Sequence, residues 1–208
     1  MIDGVEPAEL RRAPGRPRSA AAHQAILDAT IELLSEVGFA ATTVEAVAAR
    51  AGVGKATVYR RWPSKVPLVI EALDARAIEQ VPLPHTGNVR DDLTEFLVGL
   101  VETMTGPDGR LVAPLLAEIS RNPELAEAFR RDLVAPRRVV AEEIVREGIA
   151  RGELRADLDV DLALDAPVGI VFQRLLISGE VVDKELVARI VDQLLEGIGA
   201  GSAAPSAR

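Results

Sequence analysis

Between Thr43 and Lys65 two short runs with helical spacing are held apart by Ala51-Gly52-Val53, and this arrangement restricts the segment to a helix-turn-helix. Gly52 permits the sharp turn, and Ala48 and Ala51 are small enough to let the two helices cross closely. The second run carries Lys55, Thr57, Tyr59, Arg60 and Arg61. Such a helix can lie in a DNA major groove with donors aimed at base edges and phosphates, and with the Ala56 methyl available to a thymine methyl. On these residues alone, a helical hairpin with solvated arginines is the favoured reading for an arbitrary sequence.

The flanking sequence supplies further helices. From about Ala20 to Val37, Ile26, Ala29, Leu33, Leu34 and Val37 recur at helical spacing, with Asp28, Glu32 and Ser35 on the other side. Gly38 ends this helix by taking a left-handed cap cheaply. Thr42 or Thr43 then caps a second helix, and Thr42 with Glu45 has the spacing of a capping box. The second helix stops at Gly52, a third runs from about Gly54 to Trp62, and Pro63 opens a fourth that continues to about Gln80. Residues 1–19 contain Pro7, Pro14 and Pro17 and read as a flexible basic arm.

The net charge of -8 is unevenly spread. Residues 10–65 hold nine Lys or Arg against four acids, whereas residues 66–208 hold 15 basic and 25 acidic side chains. A basic module on an acidic body suits a protein in which only the module must neutralise phosphates. The core must be built from Leu, Val, Ile and Ala, since the 208 residues include only one Tyr, one Trp and four Phe, and that mixture favours helices. There is no cysteine, which excludes disulfides and thiol chemistry and fits a reducing cytoplasm. No apolar run approaches the roughly 20 residues needed to cross a bilayer, and the first residues do not read as a secretory leader.

The string Gly38-Phe39-Ala-Ala-Thr42-Thr43-Val44, followed by Val47-Ala48-Ala-Arg-Ala51-Gly52-Val53-Gly54-Lys55-Ala-Thr57-Val58-Tyr59-Arg-Arg-Trp62-Pro63-Ser64-Lys65, resembles the N-terminal signature of TetR-type transcriptional regulators. The match spans roughly the first 75 residues. It departs at Trp62, where Phe is commoner, and at Val66-Pro67, where an acidic residue and Ala are usual. The resemblance implies an all-α chain of about nine helices. Residues 20–66 would form the DNA-binding domain, residues 67–199 a helical domain for effector binding and dimerisation, and residues 200–208 a disordered tail. It further implies that Lys55, Ala56 and Thr57 approach base edges. Tyr59 and Arg60 would contact phosphate or base, Thr43 and Lys65 would hold phosphates from opposite sides, and Arg61 would stand near the same surface.

Within the arm, Gly15-Arg16-Pro17-Arg18 resembles the core of an AT-hook, in which Arg16 and Arg18 on an extended backbone would enter a minor groove beside the recognition helix. Beyond residue 88 the pattern predicts helices over roughly 89–105, 109–120, 123–151, 160–178 and 183–198, with breaks at Gly106-Pro107, Asn122-Pro123, Gly152 and Ser178-Gly179. Pro136 should kink or divide the third of these. The last two are strongly apolar. In the family resembled they pair with their copies in a homodimer, for which Val168, Phe172, Leu175, Ile190 and Leu194 are candidates; the alternative is an ordinary monomer core. A symmetric dimer would set two recognition helices about 34 Å apart on a palindromic operator. The resemblance also implies a pocket for a small, largely apolar effector, with Phe96, Met104, Leu115, Phe129 and Phe172 as candidate lining.

Other classes find less support. An enzyme needs a nucleophile and base, paired carboxylates or metal ligands, and no such constellation stands out; His23 and His85 are the only histidines, so neither a metal nor another cofactor is expected. Asp157, Asp159 and Asp161 alternate as in a calcium loop but lack its glycine and downstream glutamate, which favours an acidic cluster at a helix N-terminus. The sequence thus predicts a ligand-responsive repressor acting on double-stranded DNA in the cytoplasm, without a membrane partner. An activator of the same fold and a helical protein-interaction module are the alternatives.

Overall fold

The computed structural model describes residues 16–78, 84–107 and 109–197, with all side chains in them except those of residues 16–19, 77, 78 and 110. These residues form nine helices and no strand. The first four are α1 (Arg16–Ala41), α2 (Val44–Arg50), α3 (Lys55–Tyr59) and α4 (Lys65–Ile78). Helix α1 starts earlier than expected, because proline is tolerated in the first turn and Pro17 therefore does not exclude it. Arg16 and Arg18 accordingly stand in a helical first turn and not on extended backbone, while Gly15 and the rest of the arm lie outside the described residues. Gly38 breaks the helical path with φ 76°, as its lack of a side chain allows, before one further turn to Ala41.

The body begins with α5 (Val89–Thr105), capped by Asn88, whose side chain accepts from the amides of Arg90 and Asp91. A 3-10 turn at Gly109–Leu111 leads into α6 (Val112–Ile119). Helix α7 runs from 123 to 150: Pro123–Ala128, a π-helical turn Phe129–Val134, then Ala135–Ala150. The π turn directly precedes Pro136, whose missing N–H and bulky ring disrupt the α-helical ladder one turn back. The helix is therefore neither cut nor ended at Pro136. The Arg137 guanidinium donates to the Leu133 carbonyl at 2.6 Å, so a carbonyl of the irregular turn finds a partner. Helix α8 runs from 160 to 178 as Val160–Phe172 continued by a π turn Gln173–Ser178, and α9 is Lys184–Glu196. The expected breaks at 122–123, 152 and 178–179 all occur, with Gly152 and Gly179 in left-handed conformations.

Two apolar cores organise the helices. One joins α1–α4 with residues from beyond the expected boundary at 66, including Leu68, Val69 and Ala72 of α4, Leu111 and Leu115 around α6, and Leu125 and Leu133 of α7. The other joins α5, α8, α9 and the distal half of α7 through Leu97, Val145, Val171, Val187 and Val191. Helix α7 thus contributes to both, and the head is closed from below by α4, α6 and the start of α7.

Asp159 caps α8 by accepting from the Leu162 amide at 3.1 Å, and Asp161 and Asp165 flank the Arg138 guanidinium at 2.6 and 2.7 Å. Asp159 and Asp161 of the acidic run are thus accounted for by a cap and by an ion pair between α7 and α8, and Asp157 lies 3.7 Å from Arg155.

Candidate nucleic-acid interface

The turn between α2 and α3 is made by Gly52, at φ 66°, with the Val53 amide donating to the Ala48 carbonyl at 3.0 Å. Thr43, not Thr42, caps α2: its hydroxyl accepts from the Ala46 amide at 3.1 Å. Thr42 is buried and its hydroxyl donates back to the Gly38 carbonyl at 2.8 Å. The Thr42–Glu45 capping box is therefore not formed, because the cap stands one residue later and Glu45 falls at the second helical position.

Five residues make α3, and one of them anchors it: Val58 is fully buried in the head core beside Val47 and Ala48. With Val58 inward, Lys55, Ala56, Tyr59 and Arg60 are exposed and Thr57 is half-buried. Lys55 and Tyr59, four residues apart, share a face. The Tyr59 hydroxyl donates to Glu45 at 2.9 Å, which raises the phenol's pKa. Glu45 is held below the usual carboxylate range by its backbone hydrogen bond, by Tyr59 and by nearby Lys55, so it is a charged group at the edge of the presented face.

Two basic residues expected at DNA are engaged by the protein itself. The Lys65 ammonium donates to the carbonyls of Phe39, Ala40 and Thr42 at 2.8, 3.2 and 3.3 Å and lies 4.3 Å from the centre of the Phe39 ring. Its three N–H bonds satisfy the frayed end of α1, so a phosphate could be held only at the expense of one of them. Arg61 is turned back over the Trp62 ring at 5.2 Å and pairs with Glu71 at 3.3 Å. Trp62, only 2% exposed, plugs the junction of α3 and α4, and its indole N–H donates to Glu71 at 2.7 Å. His23 of α1 stacks on the same indole at 5.5 Å and faces Glu71 at 3.4 Å. Burial and Arg61 lower the His23 pKa, against the opposing pull of Glu71. Nothing in the sequence marks Glu71 or His23 as members of this region, and Glu45 carries only the signal of half a capping box. Arg50, the remaining base of the segment, is held by Glu36 through two hydrogen bonds of 2.6 and 2.7 Å.

A short helix anchored by one valine, presenting Lys55, Thr57 and Arg60 after a glycine turn, is the geometry of a helix-turn-helix reader. Residues 26–72 match the family described as bacterial regulatory proteins, tetR family, and residues 83–194 match the tetracyclin repressor-like C-terminal domain. The chain belongs to the TetR family. It is a helix-turn-helix, DNA-binding transcriptional regulator. The HTH-type transcriptional regulator YdeS of Bacillus subtilis is 36% identical over 192 residues, covering 92% of this chain and 97% of that protein. The DNA-binding transcriptional repressor TetR of Mycobacteroides abscessus is 30% identical over 184 residues, covering 88% of this chain and 94% of that protein. The crystal structure of the TetR family transcription regulator SCO0332 superposes with a TM-score of 0.71 at 36% identity, covering 86% of this chain and 98% of that chain.

In the C-terminal domain of this TetR-family chain the expected effector residues divide between the two cores. Leu115 and Phe129 pack into the head core, whereas Phe96, Met104 and Phe172 pack into the body core. A cleft of about 350 Å³ lies elsewhere, lined by Leu93, Val145, Leu154, Leu158, Leu194 and Leu195 together with the charged Glu153, Arg155 and Glu196. Of the expected dimer residues, Ile190 is buried in its own body core and Leu194 borders this cleft, while Val168, Phe172 and Leu175 are half-buried against that core. Large apolar side chains stand open on α8 and just beyond it, at Leu162 (67% exposed), Ile170, Ile177 (79%) and Val181 (83%), and on α7 at Val134 and Val139 (60%). Among the described residues no helix is long and apolar enough to cross a membrane.

Proposed function

We propose that the protein is a cytoplasmic, effector-responsive repressor that binds a two-fold symmetric operator as a homodimer. The observation that carries this reading is the open row Leu162, Ile170 and Ile177 on α8, at spacings of eight and seven residues that keep them on one side of the helix. Large apolar side chains so exposed favour a partner surface, and a second copy is the natural partner for a reader whose recognition helix is only five residues long. In this reading Lys55, Ala56 and Thr57 approach base edges, Arg60 and Thr43 hold phosphates, Tyr59 packs its ring against the DNA, and Arg16 and Arg18 extend the contact at the start of α1. The leucine-lined cleft, rather than the phenylalanine set, offers space for a mostly apolar effector. Repression is supported by the name of the M. abscessus relative. An effector favouring a form with wrongly spaced readers would lower DNA affinity by its own differential binding energy.

The test is titration of the purified protein onto a DNA fragment from its own upstream region, at several salt concentrations and against unrelated competitor, with light scattering of the protein and of Ile177→Asp. A dimer that binds in a competitor-resistant, salt-dependent way supports the proposal, and Ile177→Asp is then expected to shift towards monomer and lose operator binding. A wild-type monomer, or equal weak binding to both fragments, counts against it. A reporter whose output falls on deletion of the regulator would replace repression by activation.

A further inference from the structure

We infer that Glu45, a residue of the first helix of the reading motif, determines base specificity by accepting from an exocyclic amino group in the major groove. The inference rests on the DNA-binding reading above and deepens it. Glu45 lies in the first turn of α2, is exposed, and holds the Tyr59 hydroxyl at 2.9 Å beside Lys55. Because Lys55 and Tyr59 mark the face that α3 presents, a carboxylate tied to that face borders whatever α3 reads.

A charged carboxylate only accepts hydrogen bonds. It repels phosphate and cannot pair with the acceptor edges of guanine or thymine. The groove donors open to it are the amino groups of cytosine and adenine, and carboxylates characteristically accept from cytosine. Tyr59 supplies the second half of the argument. Its single proton is committed to Glu45, so the phenol has none to offer a phosphate, and its role is to fix the carboxylate against rotation. Glu45 thus reads the base and Tyr59 positions it.

The test is binding-site selection from a random duplex library with the full-length wild type, Glu45→Ala, Glu45→Gln and Tyr59→Phe, followed by titration on the selected sites with each base substituted in turn. The wild type is expected to prefer cytosine over the other bases by about tenfold at one position of each half-site. Glu45→Ala should flatten that position alone. Glu45→Gln should move it towards adenine, since an amide can both donate and accept. Tyr59→Phe should weaken the same position severalfold while leaving the others. Unchanged thermal melting would confirm that the exposed substitutions leave the fold intact. If Glu45→Ala and Glu45→Gln tighten binding to all sequences equally and the base preferences stay as in the wild type, Glu45 is only an electrostatic brake and the inference fails. If the wild type itself enriches no sequence, the DNA-binding reading fails and takes this one with it.

Discussion

Arg137, just past the π turn of α7, reaches Asp74 of α4 at 3.2 Å while its other nitrogen holds the Leu133 carbonyl at 2.6 Å. One side chain therefore repairs the irregular turn that Pro136 creates and ties it to the helix that leads out of the DNA-reading head.

Removing this side chain should cost more than removing its acidic partner. Arg137→Ala leaves both the Leu133 carbonyl and Asp74 without their donor, and a loss of about 2 kcal/mol is expected. Asp74→Asn keeps the carbonyl contact and should lose about 1 kcal/mol or less, since the pair is only partly buried. Urea unfolding of the two variants measures the difference; equal losses would mean that the carbonyl contact contributes nothing.

Lys65 is expected to act on stability before it acts on DNA. Lys65→Met keeps an unbranched side chain but removes the ammonium from the Phe39 ring and the donors from three carbonyls, for an expected loss of roughly 1–3 kcal/mol in thermal or urea unfolding. A variant of wild-type stability that binds DNA less tightly would restore the phosphate contact as its main role.

His23 should make the head less stable as pH falls. Its folded-state pKa is lowered, chiefly by burial and then by Arg61, so the unfolded chain takes up its proton first. Stability from this group is complete above the unfolded value of about 6.5 and is lost as pH drops through that value towards the lower folded one. Melting temperature measured from about pH 7.5 down to about 5.5 should fall, and His23→Gln should flatten the change in that window. An unaltered profile in the variant would assign the effect to other groups.

Lys55 and Arg60 are exposed on α3, which Val58 anchors in the head core, so their loss should leave the fold alone. Each Ala substitution is expected to weaken DNA binding about tenfold, and where the residue meets a phosphate, to make the salt dependence shallower by about one. Circular dichroism and fluorescence anisotropy separate this from unfolding, and a collapsed spectrum would end the assignment.

Helix positions were legible in the sequence because their signals are local. The 89–105 helix, the Asn122-Pro123 break and the glycines at 38, 52, 152 and 179 depend on capping, on left-handed backbone and on apolar spacing, all of which a short window contains. The choice between Thr42 and Thr43 as cap was not, since both can accept from an amide and only burial of Thr42 decides it.

By itself the sequence determined a helical chain, a glycine-turned reading motif, a basic head on an acidic body and the membership those residues announce. Tertiary structure decided what each polar group is spent on. Lys65, Arg61 and Tyr59 look alike as candidate DNA contacts, yet one caps α1, one lies on Trp62 and one holds Glu45, because partners 10 to 26 residues away consume their donors. It also decided that Phe129 and Phe172 belong to different cores, and that the open face of α8 is Leu162, Ile170 and Ile177. Apolar residues occur on several sides of these helices, and only the packing of neighbours selects which side is covered.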